Sequence, residues 1–230
     1  MIRERNFPDR QRLARALAAS VAESLGQALT ERPTASLVVS GGSTPRPFFA
    51  SLRTRALPWE RVRITLADER WVAADHEESN EGMVRRLLLR EEAQGARLVG
   101  LKTSAPDPAR GCREAAERIA PLRPFDVVVL GMGGDGHTAS LFPHMETLTE
   151  GLSAATAAVC LPASPTSSPL PRITLTLPVL LDSGRVILHI TGVDKWRVYQ
   201  RARSRGPMEE LPVRAVLRGA PAGVEVYWAP

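Results

Sequence analysis

The chain has 230 residues, of which 43% are hydrophobic and 24% are charged, so it is too apolar for a disordered chain. This length suits one α/β domain over residues 1–230, or one domain with a small appended lobe. Its net charge is +5, but the arginines that supply it are scattered, which is not the pattern of a nucleic-acid-binding protein. No apolar run reaches the ~20 residues of a membrane span, and none is of signal-peptide type, so we expect a cytoplasmic protein without a membrane partner.

Hydrophobic spacing and glycine or proline breaks predict strands that alternate with helices. In the first half, we predict a helix at 8–32 capped by Asp9, a strand at 36–40, a helix at 47–53, a strand at 62–67, a helix from Ser79 or Asn80, a strand at 97–101 and a helix at 108–120. In the second half, we predict a strand at 125–130, a Ser/Pro loop at 162–171, a strand at 173–177, a helix at 178–182, a strand at 186–190, helices to 203 and at 213–217, and a strand at 224–227. This alternation predicts an α/β fold with a mostly parallel sheet and helices on both faces.

Four polar clusters follow predicted elements of this sheet, at 41–44, 68–70, 131–137 and 192–195. Ligands of such sheets bind outside the carboxyl ends of the strands. We therefore expect the four clusters to form one binding or active site.

The loop at 131–137 has four glycines in its first six residues and follows the most apolar strand. Asp135 and His137 project from it two residues apart. Histidine suits proton transfer near neutral pH, a carboxylate can fix its tautomer, and loop N–H groups can stabilise an oxyanion. The alternative is a glycine-rich connector with a capping Asp and an incidental His.

Ser40 and the turn after it lie between a strand and a helix. Gly41 and Gly42 let a ligand approach the backbone, and Ser43 and Thr44 add hydroxyl donors, so the turn can hold a phosphate. The Gly-Lys-Ser/Thr of a Walker loop is missing. A tight turn with a Ser/Thr cap remains the alternative.

Four charged residues complete the candidate site. Asp68 could contact substrate hydroxyls or orient a base, and Arg70 could hold an anion or an oxyanion. Arg172 and Lys195 are candidate phosphate-binding cations, and Lys195 is one of only two lysines. Each could instead be an ordinary solvent-facing charge. No clustered His, Cys and Asp set predicts a metal site.

Taken in chain order, the segments 40–45, 66–72, 79–80, 131–143, 172–174 and 192–195 resemble the 6-phosphogluconolactonase family. This family is similar to glucosamine-6-phosphate deaminases and to ribose-5-phosphate isomerase-like folds, which implies a Rossmann-like sheet. The deaminases carry Glu where this chain has Phe142, and typically Tyr where it has Arg70. Both departures favour the lactonase over the deaminase.

The resemblance implies hydrolysis of 6-phospho-D-glucono-1,5-lactone to 6-phosphogluconate in the oxidative pentose phosphate pathway, without a cofactor. His137 would be the general base that activates water, either Asp135 or Asp68 would orient it, and Arg70 together with the loop amides would stabilise the oxyanion. The implied phosphate-binding residues are Gly41, Gly42, Ser43, Thr44, Arg172 and Lys195. A sugar-phosphate-binding regulator is the non-enzymatic alternative, and the chain could be a monomer or a small homo-oligomer.

Overall fold

The computed structural model describes residues 1–165 and 169–230. The strands of this part of the chain are β1 (Ile2–Asn6), β2 (Ala35–Val39), β3 (Val62–Leu66), β4 (Asp68–Arg70), β5 (Arg97–Val99), β6 (Val127–Leu130), β7 (Cys160–Ala163), β8 (Arg172–Leu175), β9 (Val186–Thr191) and β10 (Val224–Ala229). Its α-helices are α1 (Arg10–Glu31), α2 (Arg46–Leu52), α3 (Asn80–Leu87), α4 (Pro108–Ile119), α5 (Leu148–Leu152), α6 (Leu177–Leu181), α7 (Val193–Arg203) and α8 (Val213–Gly219).

Seven strands of the described residues form a parallel sheet in the order β1-β10-β9-β6-β2-β3-β5. Every residue of β2 and of β6 is buried. Because successive side chains of a strand point to opposite faces, both faces of the sheet centre must be covered. The structure therefore confirms the predicted α/β class, with a mostly parallel sheet between helices.

The first helix shows why the sequence folds locally as predicted. Asp9 caps α1, since its side-chain oxygen accepts a hydrogen bond from the backbone amide of Arg12 at 2.7 Å. The apolar side chains of α1 recur at helical spacing and are buried against β2, β6, β10 and α2. None of the described helices is long and apolar enough to cross a bilayer.

The strand order reverses next to β2, and this reversal positions the candidate site. From β2 the chain proceeds outward through β3 to β5, and it then returns to β6 on the other side of β2 before continuing to β9 and β10. The loops after β2 and β6 diverge at such a point and leave a crevice. The two glycine-rich segments of the sequence are the loops that flank it.

The fold also contains elements that the sequence patterns did not predict. Four of the five residues of β1 are polar or charged, so it lacks an apolar strand pattern, and it pairs with β10 at the sheet edge. The cluster at 68–70 is strand β4, which joins β8 and β7 in a small antiparallel sheet. Helix α5 was not predicted either. The predicted Ser/Pro loop begins within β7, and its residues 166–168 lie outside the described residues.

Candidate active site

The glycine-rich loop after β6 closes on itself through backbone hydrogen bonds. The amide of Gly133 donates to the carbonyl of His137 at 2.9 Å, and the amide of Gly136 donates to the carbonyl of Gly133 at 3.1 Å. The amide of Gly131 donates to Ser40 Oγ at 3.2 Å and so joins the loop to the end of β2. A β-carbon at Gly133 would lie 2.2 Å from the His137 ring, so only glycine allows the imidazole to pack here.

Asp135 and His137 pair within this loop. Nδ1 of His137 lies 2.6 Å from Oδ1 of Asp135, and the His137 amide donates to the same oxygen at 3.1 Å. Burial raises the pKa of Asp135, but its hydrogen bonds with His137 and the histidine charge bring that pKa below its ordinary value. A carboxylate on Nδ1 favours the tautomer whose Nε2 can accept a proton. The carboxylate in contact with His137 is therefore Asp135.

Asp68 has a different set of partners. It is buried, its Oδ2 accepts the Ser140 hydroxyl at 2.5 Å, and its backbone carbonyl accepts the Asn80 side-chain amide at 2.9 Å. Nη1 of Arg172 lies 3.9 Å from the same Oδ2. Asp68 nevertheless lines the cleft, where a carboxylate can accept hydrogen bonds from substrate hydroxyls.

Arg70 and Arg172 stand directly opposite each other across strands β4 and β8. Like charges in this register destabilise a sheet. Burial lowers the pKa of Arg172, and the charge of Arg70 adds to this effect while Asp68 opposes it. Within residues 1–165 and 169–230, Nε of each arginine is buried without a hydrogen-bond partner. A bound anion would reduce the repulsion between the two guanidinium groups.

The turn after β2 forms another wall of the cleft. Gly42 has a φ of 93°, a conformation that favours glycine. A β-carbon on Gly41 would lie 1.8 Å from Oδ1 of Asn80, so this glycine is required by the close approach of that side chain. Ser43 and Thr44 follow just before α2 and line the cleft. Hydroxyl groups can donate hydrogen bonds to phosphate oxygens, and the neighbouring glycines leave the backbone accessible to a ligand.

Lys195 extends from the first turn of α7 into the same cleft. Burial lowers the pKa of Lys195 below its ordinary value, Arg10 adds to the effect, and Asp135 opposes it. The other lysine, Lys102, has a different place, because its Nζ lies 4.3 Å from the ring centroid of Trp71 and donates to the Thr103 carbonyl at 2.6 Å. The two lysines are thus used in distinct ways.

The cleft has a volume of about 220 Å³. Nine of the ten predicted site residues line it, namely Gly41, Gly42, Ser43, Thr44, Asp68, Arg70, His137, Arg172 and Lys195. The tenth, Asp135, is hydrogen-bonded to His137 rather than lining the cleft. The fold therefore brings together segments from both halves of the chain, as the positions of the polar clusters predict.

Sequence reasoning did not assign site roles to several residues that support this cleft. Asn80 lines the cleft. The buried carboxylate of Glu69 accepts hydrogen bonds from the backbone amides of Asn80 and Glu81 at 2.8 and 2.7 Å, and these bonds anchor the start of α3. Burial raises the pKa of Glu69 to about 7, against the lowering effect of these hydrogen bonds. Glu78 contacts Arg70 in two ways. Its backbone carbonyl accepts a hydrogen bond from Nη1 of Arg70, and its carboxylate lies 3.4 Å from the same nitrogen. The sequence signal for Asn80 is its place beside Ser79, which predicts a helix start rather than a site residue.

The comparison with protein families covers nearly the whole chain. The family model described as "Glucosamine-6-phosphate isomerases/6-phosphogluconolactonase" matches residues 8–228. The chain belongs to this family. The match spans every strand and loop that contributes to the cleft, so family membership and site geometry concern the same segments.

Individual members of the glucosamine-6-phosphate isomerase/6-phosphogluconolactonase family are similar over full length. A 6-phosphogluconolactonase of Mesorhizobium japonicum is 48% identical over 226 residues, covering 97% of this chain and 94% of the relative. The crystal structure of a 6-phosphogluconolactonase from Shewanella baltica OS155 has a TM-score of 0.97 and 42% identity, covering 100% and 98% of the two chains. A monomeric glucosamine-6-phosphate deaminase has a TM-score of 0.80 at 20% identity, covering 99% and 97%, which shows a shared fold alone. The predicted family and fold are confirmed.

Proposed function

We propose that this protein hydrolyses 6-phospho-D-glucono-1,5-lactone to 6-phosphogluconate in the oxidative pentose phosphate pathway. The observation that carries the proposal is the pair of Asp135 and His137, 2.6 Å apart, beside a cleft with three cationic side chains. The pair suits the activation of water, and the cations suit a phosphorylated substrate. The relatives named 6-phosphogluconolactonase support the same activity.

The proposed reaction begins when His137 takes a proton from water through Nε2, while Asp135 holds Nδ1. The water oxygen bonds to the lactone carbonyl carbon, and the carbonyl electron pair moves onto its oxygen. When this oxyanion collapses, the bond from the carbonyl carbon to the ring oxygen breaks, and His137 returns the proton to that leaving oxygen. In this proposal, Asp68 accepts hydrogen bonds from the sugar hydroxyls. No cofactor or metal takes part in these steps, because a lactone is already an activated ester.

Arg70 is the proposed partner of the oxyanion. The loop amides of Gly131, Gly133, Gly136 and His137 already donate to groups of the protein. Nη1 of Arg70 donates to the Glu78 carbonyl, so the proposal uses the other donors of this guanidinium. We assign the phosphate to the residues on the neighbouring walls of the cleft, namely Gly41, Gly42, Ser43, Thr44, Arg172 and Lys195.

The test is an assay on freshly prepared lactone, corrected for spontaneous hydrolysis, with glucosamine-6-phosphate assayed in parallel. We expect acid release from the lactone and no ammonia from the amino sugar. A positioned base contributes typically about 10²–10⁴-fold, so His137→Ala should lower kcat at least about tenfold with little change in KM. His144→Ala, at an exposed loop histidine, is the control and should match the wild type. Ammonia release without lactone hydrolysis would transfer the assignment to a deaminase.

We further infer a single domain over residues 1–230, a cytoplasmic location and a monomer or small homo-oligomer that binds neither nucleic acid nor membranes. The scattered arginines of the sequence support the lack of a nucleic-acid partner. Light scattering coupled to size-exclusion chromatography tests the oligomeric state, and cell fractionation tests the location. A single cooperative unfolding transition would support one domain.

A further inference from the structure

Phe142 lies in contact with two residues of the proposed active site. The ring is almost fully buried, with 6% of its surface exposed. The ring centroids of Phe142 and His137 are 4.2 Å apart, and Cζ of Arg172 lies 5.2 Å from the Phe142 centroid. One aromatic ring therefore touches both the proposed base and a cation proposed to bind phosphate.

A tight turn carries the chain back from His137 to Phe142. Ala139 in this turn has a φ of 50°, a left-handed conformation that is unfavourable for a residue with a β-carbon. The amide of Leu141 donates to the carbonyl of Thr138 at 3.0 Å and closes the turn. Backbone strain of this kind persists where the surroundings enforce it, often at functional sites. The turn brings the Phe142 ring against the imidazole.

In the described part of the chain, the Arg172 guanidinium is paired with the Asp68 carboxylate but is not hydrogen-bonded to it. Its Nε is buried without a hydrogen-bond partner, and its Nη1 lies 3.9 Å from Asp68, beyond hydrogen-bond distance. Arg70, directly opposite on β4, repels it. The Phe142 ring attracts the guanidinium through a cation–π interaction. The ring therefore adds to the Asp68 ion pair in holding the Arg172 side chain.

We propose that Phe142 is a positioning residue that fixes the His137 imidazole and the Arg172 guanidinium relative to each other. The roles of those two groups rest on the proposed lactonase function. A substrate held by its phosphate presents its carbonyl carbon at a set distance, so the spacing between cation and base controls whether water is activated at the right place. Loss of the ring frees both side chains, and catalysis and phosphate binding weaken together.

The experiment compares Phe142→Leu and Phe142→Met with Phe125→Leu. The Met variant has an unbranched side chain that adapts to the space left by the ring, in case the Leu variant does not fold. Phe125 is a matched control because it is also buried, at 1% exposure, but precedes β6 at the end opposite the loop. For the Phe142 variants we expect kcat lower by about two- to tenfold, and KM and the Kd of inorganic phosphate higher by about two- to tenfold. Phe125→Leu should lower Tm and leave these three constants unchanged.

Two readouts do not require turnover. Calorimetry measures phosphate binding, and NMR detects the Nδ1 proton that His137 shares with Asp135, which should broaden in the Phe142 variants. Folded Phe142 variants with an unchanged kcat or an unchanged phosphate Kd would overturn the proposal, as would equal losses in Phe125→Leu. If the wild type lacked lactonase activity, the proposed function would fail, whereas phosphate binding and the NMR signal would still test the positioning role.

Discussion

His189 is a buried histidine whose neutral form the fold requires. It lies in β9 with 3% of its surface exposed, and its ring meets Phe48 edge-on at a centroid distance of 6.1 Å. It also lines a small cavity beside Ser43 and Thr44. Burial lowers the pKa of His189 to about 3, and the positive charge of Lys195 adds to the effect. Protonation in the folded state would therefore place an unfavourable charge under the turn that follows β2.

The size of the resulting acid sensitivity follows from this pKa. The pKa of histidine in an unfolded chain is ~6.5. Between that value and about 3 the unfolded chain carries a proton at position 189 and the folded protein does not, so acidification favours unfolding. The contribution of His189 is fully present above the unfolded pKa and is lost as the pH falls through this window. At ~1.36 kcal/mol per pH unit, a change from about pH 7.5 to about pH 5 lowers the free energy of unfolding by about 2 kcal/mol.

The assay is urea denaturation of the wild type and His189→Gln at these two pH values, with extrapolation to zero denaturant. We expect the wild type to lose about 2 kcal/mol more than the variant on acidification. His144→Gln, at an exposed histidine, serves as the control and should behave as the wild type. Equal pH dependence of the wild type and His189→Gln would refute the reasoning.

The quantity that tests the prediction is the difference in pH dependence between the wild type and His189→Gln. The absolute pH dependence is less informative, because Glu69 changes stability with pH in the opposite direction. Burial raises the pKa of Glu69 to about 7, above its unfolded value. Its contribution to stability is therefore present in acid and is lost as the pH rises through about 7. This effect occurs in the wild type and in His189→Gln alike, so it cancels when their pH dependences are subtracted.

Three further predictions concern the cleft. Asp135→Asn should lower kcat at least about tenfold with little change in KM, because the amide no longer holds the correct tautomer of the base; an unchanged kcat in steady-state assays would contradict this role. Gly41→Ala should lower stability by about 1–3 kcal/mol in thermal melts, because its β-carbon would overlap Asn80, whereas Gly134→Ala, with open space at the β-carbon, is the control. Lys195→Ala should raise KM for the lactone and weaken inhibition by inorganic phosphate. An unchanged KM would show that this lysine does not contribute to substrate binding.

Local features of the site could be predicted because they depend on residues close in sequence. Asp135 and His137 are two residues apart on a glycine-rich loop, and their hydrogen bond forms within that loop. The alternation of strands and helices likewise predicted that the turns after β2 and β6 end at the same edge of the sheet. Strand β4 escaped prediction, because a charged three-residue strand has no apolar pattern and depends on pairing with β8.

The sequence by itself determined the α/β class, the placement of the polar clusters at the carboxyl edge and the residues available for chemistry. The tertiary structure alone decided that Asp135, rather than Asp68, contacts His137 and that Arg70 and Arg172 face each other. It also decided that Phe142 touches both His137 and Arg172. The physical reason is that cross-strand register and side-chain packing join segments far apart in the chain. The spacing of residues along one segment carries no information about those distances.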